Sequence, residues 1–129
     1  MNAGFTEREL DLMTVLWESG PSTAAEVREA LADQGVNRAY NTVLTVLRIL
    51  EDKGQVDHKE EGRAHRFRAV MARTDAAASA LSRTLDQMFG GSAEALVAQL
   101  VQHPRLSKKD LKRLRKVIKQ QLDFRRSIA

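Results

Sequence analysis

The spacing of the apolar residues changes abruptly at Gly54, and this change constrains the fold more than any other feature. Residues 38–53 repeat apolar side chains at helical spacing and lead into a glycine that can end a helix. Residues 56–68 instead alternate with the period of two that is typical of strands. The sequence therefore predicts a helix that leads directly into a short β-hairpin.

The hairpin turn is predicted at Glu61-Gly62, a dipeptide that divides the alternating stretch. A two-residue turn there sets Val56 opposite Phe67 and His58 opposite His65. The apolar pair then lies on one face of the hairpin, which favours that register.

Two further helices are predicted before residue 38. Thr6 and Thr23 are each followed three residues later by Glu, which is the spacing of a capping box, and Phe5 is placed to pack on Leu10. The apolar face of the first helix is predicted to hold Leu10, Met13, Leu16 and Trp17. Three helices and a hairpin within about seventy residues are the order of a winged helix-turn-helix, in which the third helix enters the major groove of DNA.

The third helix carries a polar face that suits DNA better than water. A face that is merely solvated favours Lys, Glu, Gln and Arg, whereas Asn and Thr weaken a helix slightly. Asn can pair with an adenine edge, Arg with guanine or phosphate, and Thr with either. The predicted DNA-binding residues are Arg38, Tyr40, Asn41, Thr42, Thr45 and Arg48 on this helix and Lys59, Arg63 and Arg66 on the hairpin.

Residues 73–129 are predicted to be a three-helix dimerisation domain that follows a winged-helix domain over residues 1–72. Its apolar stripes are too long for three short helices to bury alone. The predicted dimerisation residues are Leu81, Leu85, Met88, Leu111, Leu114, Ile118 and Leu122. The predicted fold class is therefore mainly α, with a two-stranded wing.

The net charge of +4 is unevenly distributed. Residues 1–70 carry nine Lys and Arg against twelve Asp and Glu, whereas residues 107–129 carry nine against two. Sign asymmetry of this kind suggests an anionic partner that touches part of the surface. For the basic last helix we favour an interpretation in which its apolar side forms a dimer seam and its basic side is solvated. Two alternatives stay open, a helix that lies on a membrane surface and a secondary contact with DNA.

Several function classes are disfavoured by composition. The absence of cysteine excludes disulfides, thiolate zinc sites and cysteine nucleophiles. His58, His65 and His103 lack the spacing of a metal site, so a packed histidine pair is favoured, and no catalytic constellation or phosphate loop is present. We therefore predict no enzyme activity, no cofactor, no metal and no small-molecule ligand. No apolar run has membrane-spanning length and no signal sequence is recognised, which predicts a cytoplasmic protein.

Residues 5–70 resemble the winged-helix domain of the penicillinase-repressor family, the BlaI/MecI/CopY regulators. The matching phrases are ELDLMTVLWESG, AAEVREAL, AYNTVLTVLRILEDKG and GRAHRF, and the similarity continues through MFGGSAEALVAQLV and LSKKDLKRLRKVI. The resemblance implies a homodimeric bacterial repressor of palindromic operators that dimerises through its C-terminal helices. In the beta-lactam branches a membrane sensor-peptidase relieves repression, and cleavage in the C-terminal domain inactivates the repressor.

Three departures from the family pattern qualify these expectations. The copper-responsive branch carries C-terminal cysteines, and this chain has none, so copper sensing through thiolates is excluded. The family commonly has Arg where this chain has Ile49, an apolar side chain that can contact a thymine methyl. The Asn-Phe bond cleaved in some members matches Gln99-Leu100 here. A second function class stays open, a winged-helix protein-interaction module without sequence-specific DNA binding.

Overall fold

The computed structural model describes residues 4–128, which divide into two compact units, one extending to Leu81 and the other beginning at Ser82. The elements are α1 (Glu7–Ser19), β1 (Ser22–Thr23), α2 (Ala24–Asp33), α3 (Tyr40–Asp52), β2 (Val56–Glu61), β3 (Ala64–Ala69), α4 (Arg73–Phe89), α5 (Ala93–Val101) and α6 (Lys108–Ile128). This confirms the mainly helical class with a small sheet. No helix among the described residues combines the length and apolarity needed to cross a bilayer.

Both predicted capping boxes are present in the first unit. The Thr6 hydroxyl accepts from the Glu9 amide at 3.2 Å, while the Glu9 carboxylate accepts from the Thr6 amide at 2.9 Å. Thr23 and Glu26 repeat this exchange at 3.2 and 3.0 Å. Each box satisfies two backbone donors that a helix start otherwise leaves unpaired.

The apolar face of α1 differs from the predicted one. Leu10 is exposed, and the buried apolar residues of α1 are Leu12, Met13, Val15 and Leu16. Phe5 packs edge-on against Trp17, with ring centroids 6.1 Å apart. The prediction that Leu10 lies on the buried face is wrong, because Leu12 and Val15 of α1 pack in the core and Leu10 lies outside it.

The core of the first unit is mostly aliphatic and joins the three helices to the hairpin. α3 contributes Val43, Leu47 and Leu50, and Phe67 of β3 is the largest fully buried side chain. Further core residues are Leu12, Met13, Val15, Leu16, Ala24, Val27, Leu31, Val46 and Val56. The burial of one full side of α3 orients its opposite side outward.

The sheet has three antiparallel strands rather than two, in the order β1-β3-β2. β1 is a two-residue strand in which Ser22 pairs with Phe67. Two residues are too few to show a period, so the sequence pattern held no signal for this strand.

The hairpin register differs from the predicted one by two residues. Val56 pairs with Ala69 and His58 with Phe67, so the turn is Gly62-Arg63. Gly62 has a φ of 61°, whereas Arg63, like every other non-glycine residue among those described, does not have a positive φ. A positive φ at the first central residue alone is the pattern of a type II′ turn, in which glycine takes that position. Because the shift is even, every side chain keeps its predicted face.

The second unit consists of the end of α4, α5 and α6. Gly90 and Gly91 end α4, Ser92 caps α5, and Ser107 exchanges side-chain and backbone hydrogen bonds with Asp110 at the start of α6. α4 begins at Arg73, so Thr74 lies inside the helix. Neither α5 nor α6 contains a fully buried residue.

Candidate nucleic-acid interface

The outward side of α3 presents polar side chains without a carboxylate along most of its length. Asn41, Thr45 and Arg48 are exposed and Thr42 is half-buried, whereas Val43 and Leu47 on the opposite side are fully buried. The Arg48 guanidinium has no ion-pair partner among the described residues. This face can donate and accept hydrogen bonds and can meet an anionic surface.

One groove lies between α3, the start of α2 and the hairpin. Tyr40 and Arg48 line it from α3, and Arg63 and His65 line it from the hairpin. Arg63 follows the turn glycine, so the hairpin tip carries its charge to the edge of the groove. The structure thus brings together three predicted site residues, Tyr40, Arg48 and Arg63, from two separate elements.

A second groove lies on the other side of α3, against α1. Its lining residues are Arg8, Asn41, Thr42, Thr45, Val46 and Ile49. Sequence reasoning missed Arg8, because a charged residue between Glu7 and Glu9 in a helix start looks merely solvated. Only the packing of α1 against α3 reveals that Arg8 faces this groove.

Arg38 lies just before α3 and is partly engaged within the protein. Its Nη2 is 3.4 Å from the Asp11 carboxylate, and its Nε is buried without a hydrogen-bond partner among the described residues. The side chain is therefore held near α1 and is less available than Arg48 for a bidentate contact with DNA.

Arg66 is fully engaged within the protein. Its Nε and Nη2 each donate to the Glu61 carboxylate at 2.8 Å, while Nη1 donates to Glu26 at 2.9 Å and to the Pro21 carbonyl at 3.2 Å. The hydrogen bonds that Arg66 donates to Glu61 and then to Glu26 raise the pKa of Arg66. The pKa of Glu61 is lowered by its Arg66 hydrogen bond, and that of Glu26 by the Thr23 amide and then by Arg66.

Lys59 lies opposite Arg66 on the neighbouring strand and on the same face of the hairpin. It lines neither of the two grooves beside α3. On that face Arg68 forms a bidentate pair with Asp57, at 2.6 and 3.0 Å, and the pair lowers the pKa of Asp57 and raises that of Arg68. The outer face of the hairpin is therefore dominated by internal ion pairs.

The two hairpin histidines stack on each other, with ring centroids 4.2 Å apart and planes 10° from parallel. His58 Nδ1 lies 2.6 Å from a Glu51 carboxylate oxygen. Within residues 4–128 no three His, Asp or Glu side chains are grouped as a metal site would require. The pair fits the packed arrangement better than a ligand set.

The predicted dimerisation residues are mostly exposed within the single chain. Met88 is 75% exposed and Leu122 is 62% exposed, whereas Leu85 and Leu114 are half-buried. Leu81, Leu111 and Ile118 are also exposed. Large apolar side chains on two helices, α4 and α6, thus stay in contact with water, and burying them is favourable.

Comparison with solved structures identifies the fold. The hsRosR-S4 complex structure superposes with a TM-score of 0.54 at 15% sequence identity, covering 92% of this chain and 90% of that one. The transcriptional regulator Tm0710 from Thermotoga maritima superposes with a TM-score of 0.51 at 16% identity, covering 96% and 78%. At these identities the likeness concerns the fold alone.

Sequence comparison identifies the family. The penicillinase repressor profile matches residues 5–120. The transcriptional regulator BlaI of Mycobacterium tuberculosis is 34% identical over 96 residues, which cover 73% of this chain and 69% of that protein. The chain therefore belongs to the penicillinase repressor family, whose members are transcriptional repressors and not enzymes.

Proposed function

We propose that this chain is a homodimeric bacterial repressor that binds a palindromic operator, with α3 in the major groove and the hairpin on the flanking backbone. The observation that carries the proposal is the outward face of α3, where Asn41, Thr45 and Arg48 are exposed opposite a fully buried apolar side. Side chains of these types read base edges and phosphates.

The charge distribution supports a local interface, because the winged-helix unit carries more acidic than basic residues. Many of its carboxylates are neutralised by internal partners, as in the Arg66 cluster and the Arg68–Asp57 pair. Arg8, Arg48 and Arg63 have no ion-pair partner among the described residues and line the two grooves beside α3. A positive strip of this kind attracts phosphates without net positive charge.

Dimerisation is supported by the second unit, whose helices leave their apolar stripe uncovered. Within α6, Leu111, Leu114, Ile118 and Leu122 recur at three- and four-residue spacing, and none is fully buried. A second copy of the chain supplies a matching stripe, as a two-fold axis requires. The two α3 helices then address half-sites about one helical turn apart, or a multiple of it.

The test of DNA binding is fluorescence anisotropy with the upstream region of the chain's own gene, beside a scrambled duplex of equal length. We expect tighter binding to the upstream region than to the scrambled duplex. Nuclease footprinting of the upstream region should show protection with two-fold symmetry, and analytical ultracentrifugation of the protein should give the mass of a dimer. Equal binding to both duplexes, or to neither, favours the alternative of a winged-helix protein-interaction module.

We also propose that a membrane sensor-peptidase relieves repression and that the chain acts in the cytoplasm beside its operator. The family resemblance supports this; Gln99 and Leu100, which replace the Asn-Phe bond cleaved in some members, are exposed near the end of α5, so a cleavage there needs a different sequence preference. Mass spectrometry of the chain before and after induction tests the cleavage. An intact chain after derepression argues against proteolysis.

A further inference from the structure

The groove between α1 and α3 combines three kinds of side chain in one small surface. Asn41 and Thr45 contribute polar groups, Val46 and Ile49 contribute apolar surface, and Arg8 contributes a positive charge. No carboxylate is among the described residues that line it. A surface of this composition suits a ligand that has hydrogen-bonding edges, a small apolar group and a negative charge close together.

Ile49 has an unusual position within this groove. It is 42% exposed although it is β-branched and apolar, and it lies four residues after Thr45 and eight after Asn41. Residues at this spacing form one line along a helix. The line spans about 12 Å, which is on the order of three to four base-pair steps.

We propose that Ile49, together with the methyl group of Thr45, receives the 5-methyl group of a thymine, and that Arg8 binds a phosphate on the wall of the same groove. This rests on the proposed DNA-binding function and assigns a base preference to one position of each half-site. Thymine is the base that presents a methyl group in the major groove, so an apolar side chain there distinguishes it from cytosine.

The composition of the whole groove, and not the exposure of Ile49 alone, indicates that DNA binds there. A single exposed apolar residue needs no explanation, and Leu10 on α1 is 46% exposed. Ile49 differs because it continues the line of Asn41 and Thr45, and because Arg8 lies across the groove from it. An apolar protein partner gains nothing from that arginine, whereas the DNA backbone pairs with it.

The test replaces each thymine of the operator in turn by deoxyuridine, which removes only the methyl group. For the unmodified protein we expect one thymine per half-site whose replacement weakens binding about fourfold, the loss expected for one buried methyl group, and about fifteenfold when both half-sites are changed. Ile49→Ala should bind thymine and uracil operators alike, and Ile49→Val should keep the preference. Leu10→Ala is the matched control and should leave both affinities unchanged.

Arg8 is tested separately by salt dependence. Arg8→Ala should weaken binding to the thymine and uracil operators by equal factors and lower the salt slope by about one unit per protomer. Arg105→Ala, in the loop between α5 and α6, is its control and should leave the slope unchanged.

Three outcomes overturn the inference. They are insensitivity of the unmodified protein to every uracil replacement, retention of the uracil effect in Ile49→Ala, and an unchanged salt slope in Arg8→Ala. Operator binding without a methyl effect contradicts this inference alone, whereas absence of operator binding contradicts the proposed function itself. If Ile49→Ala alters self-association or capture of a protein while uracil sensitivity persists, the face binds protein instead.

Discussion

Glu9 is a buried carboxylate that serves two structures at once. Its side chain is 6% exposed, it completes the capping box of α1, and it accepts from Lys53 Nζ at 2.8 and 3.0 Å. Burial raises the pKa of Glu9, but the Lys53 ammonium and the Thr6 amide outweigh burial and lower it. One side chain thereby connects the start of α1 to the end of α3, the element that carries the candidate interface.

We expect Glu9→Gln to lower the free energy of unfolding by about 1–3 kcal/mol at pH 7, because Lys53 loses its charged partner. The folded-state pKa of Glu9 is lowered, so its stabilising contribution is fully present above the unfolded-state pKa of about 4.3 and is lost as the pH falls through the folded-state value. The difference between the two proteins should therefore shrink at acidic pH. Urea unfolding measured at several pH values tests this.

Glu7→Gln is the matched control, since Glu7 is an exposed acidic residue in the same helical turn. Its effect should be small across the pH range. A Glu9→Gln difference that stays constant down to the most acidic pH would contradict the assignment of Lys53 and Thr6 as the groups that lower the pKa.

Arg63 and Arg66 lie three residues apart on the hairpin, and we propose different roles for them. Arg63 is exposed at the groove, whereas Arg66 is held by Glu26 and Glu61. We expect Arg63→Ala to lower the salt slope of DNA binding by about one unit per protomer with little change in Tm. Arg66→Ala should lower Tm and leave the slope unchanged.

Anisotropy titrations at several salt concentrations and thermal unfolding of both variants distinguish the two roles. If Arg66→Ala reduces the salt slope of DNA binding as much as Arg63→Ala does, then Arg66 contacts DNA, as the sequence predicts, and its role is not only structural. If neither variant changes the slope, the hairpin lies outside the DNA interface.

At the scale of the element, the buried side of α3 stabilises the fold, and we propose that its outward side recognises DNA. Substituting Asn41 or Thr45 by Ala removes an exposed polar side chain and leaves the buried side intact. We expect each variant to lose about 1–3 kcal/mol of operator binding and to discriminate less against altered operators, while its Tm stays close to that of the unmodified protein. Competition anisotropy against single-base operator variants measures both effects.

Thr84→Ala removes the same side chain from an exposed position of α4 and is the control for Thr45→Ala. It should leave operator affinity unchanged. If both α3 variants bind the operator with the affinity and the base discrimination of the unmodified protein, the recognition surface lies elsewhere than on this helix.

At the scale of the whole molecule, the second unit needs a partner to cover its apolar side chains. We expect Leu114→Asp to shift the protein from dimer to monomer, because the carboxylate would be buried in the seam. Losing the second half-site should weaken operator binding about 100-fold or more. Analytical ultracentrifugation and anisotropy on the same samples test both consequences.

Lys116→Asp, on the opposite side of α6, introduces the same carboxylate on an exposed position and should stay dimeric. A monomeric unmodified protein at micromolar concentration, or a dimeric Leu114→Asp variant, would contradict the proposed seam.

Features that depend on neighbouring residues could be predicted from the sequence. The capping boxes at Thr6 and Thr23 need only a hydroxyl and a Glu three residues later, and their hydrogen bonds form as expected. The outward face of α3 follows from its apolar spacing alone, because the buried side of an amphipathic helix defines the exposed one. Local chemistry therefore decided the class of fold and the identity of most candidate DNA-binding residues.

Contacts between distant residues were decided only by the tertiary structure. Glu26 and Arg66 are 40 residues apart, and nothing in either segment indicates that their side chains meet. Arg8 faces the groove because α1 packs on α3, and Leu10 is exposed for the same reason. Charged side chains carry no period that reveals their partners, so which arginines remain available to DNA depends on how the helices and the hairpin pack.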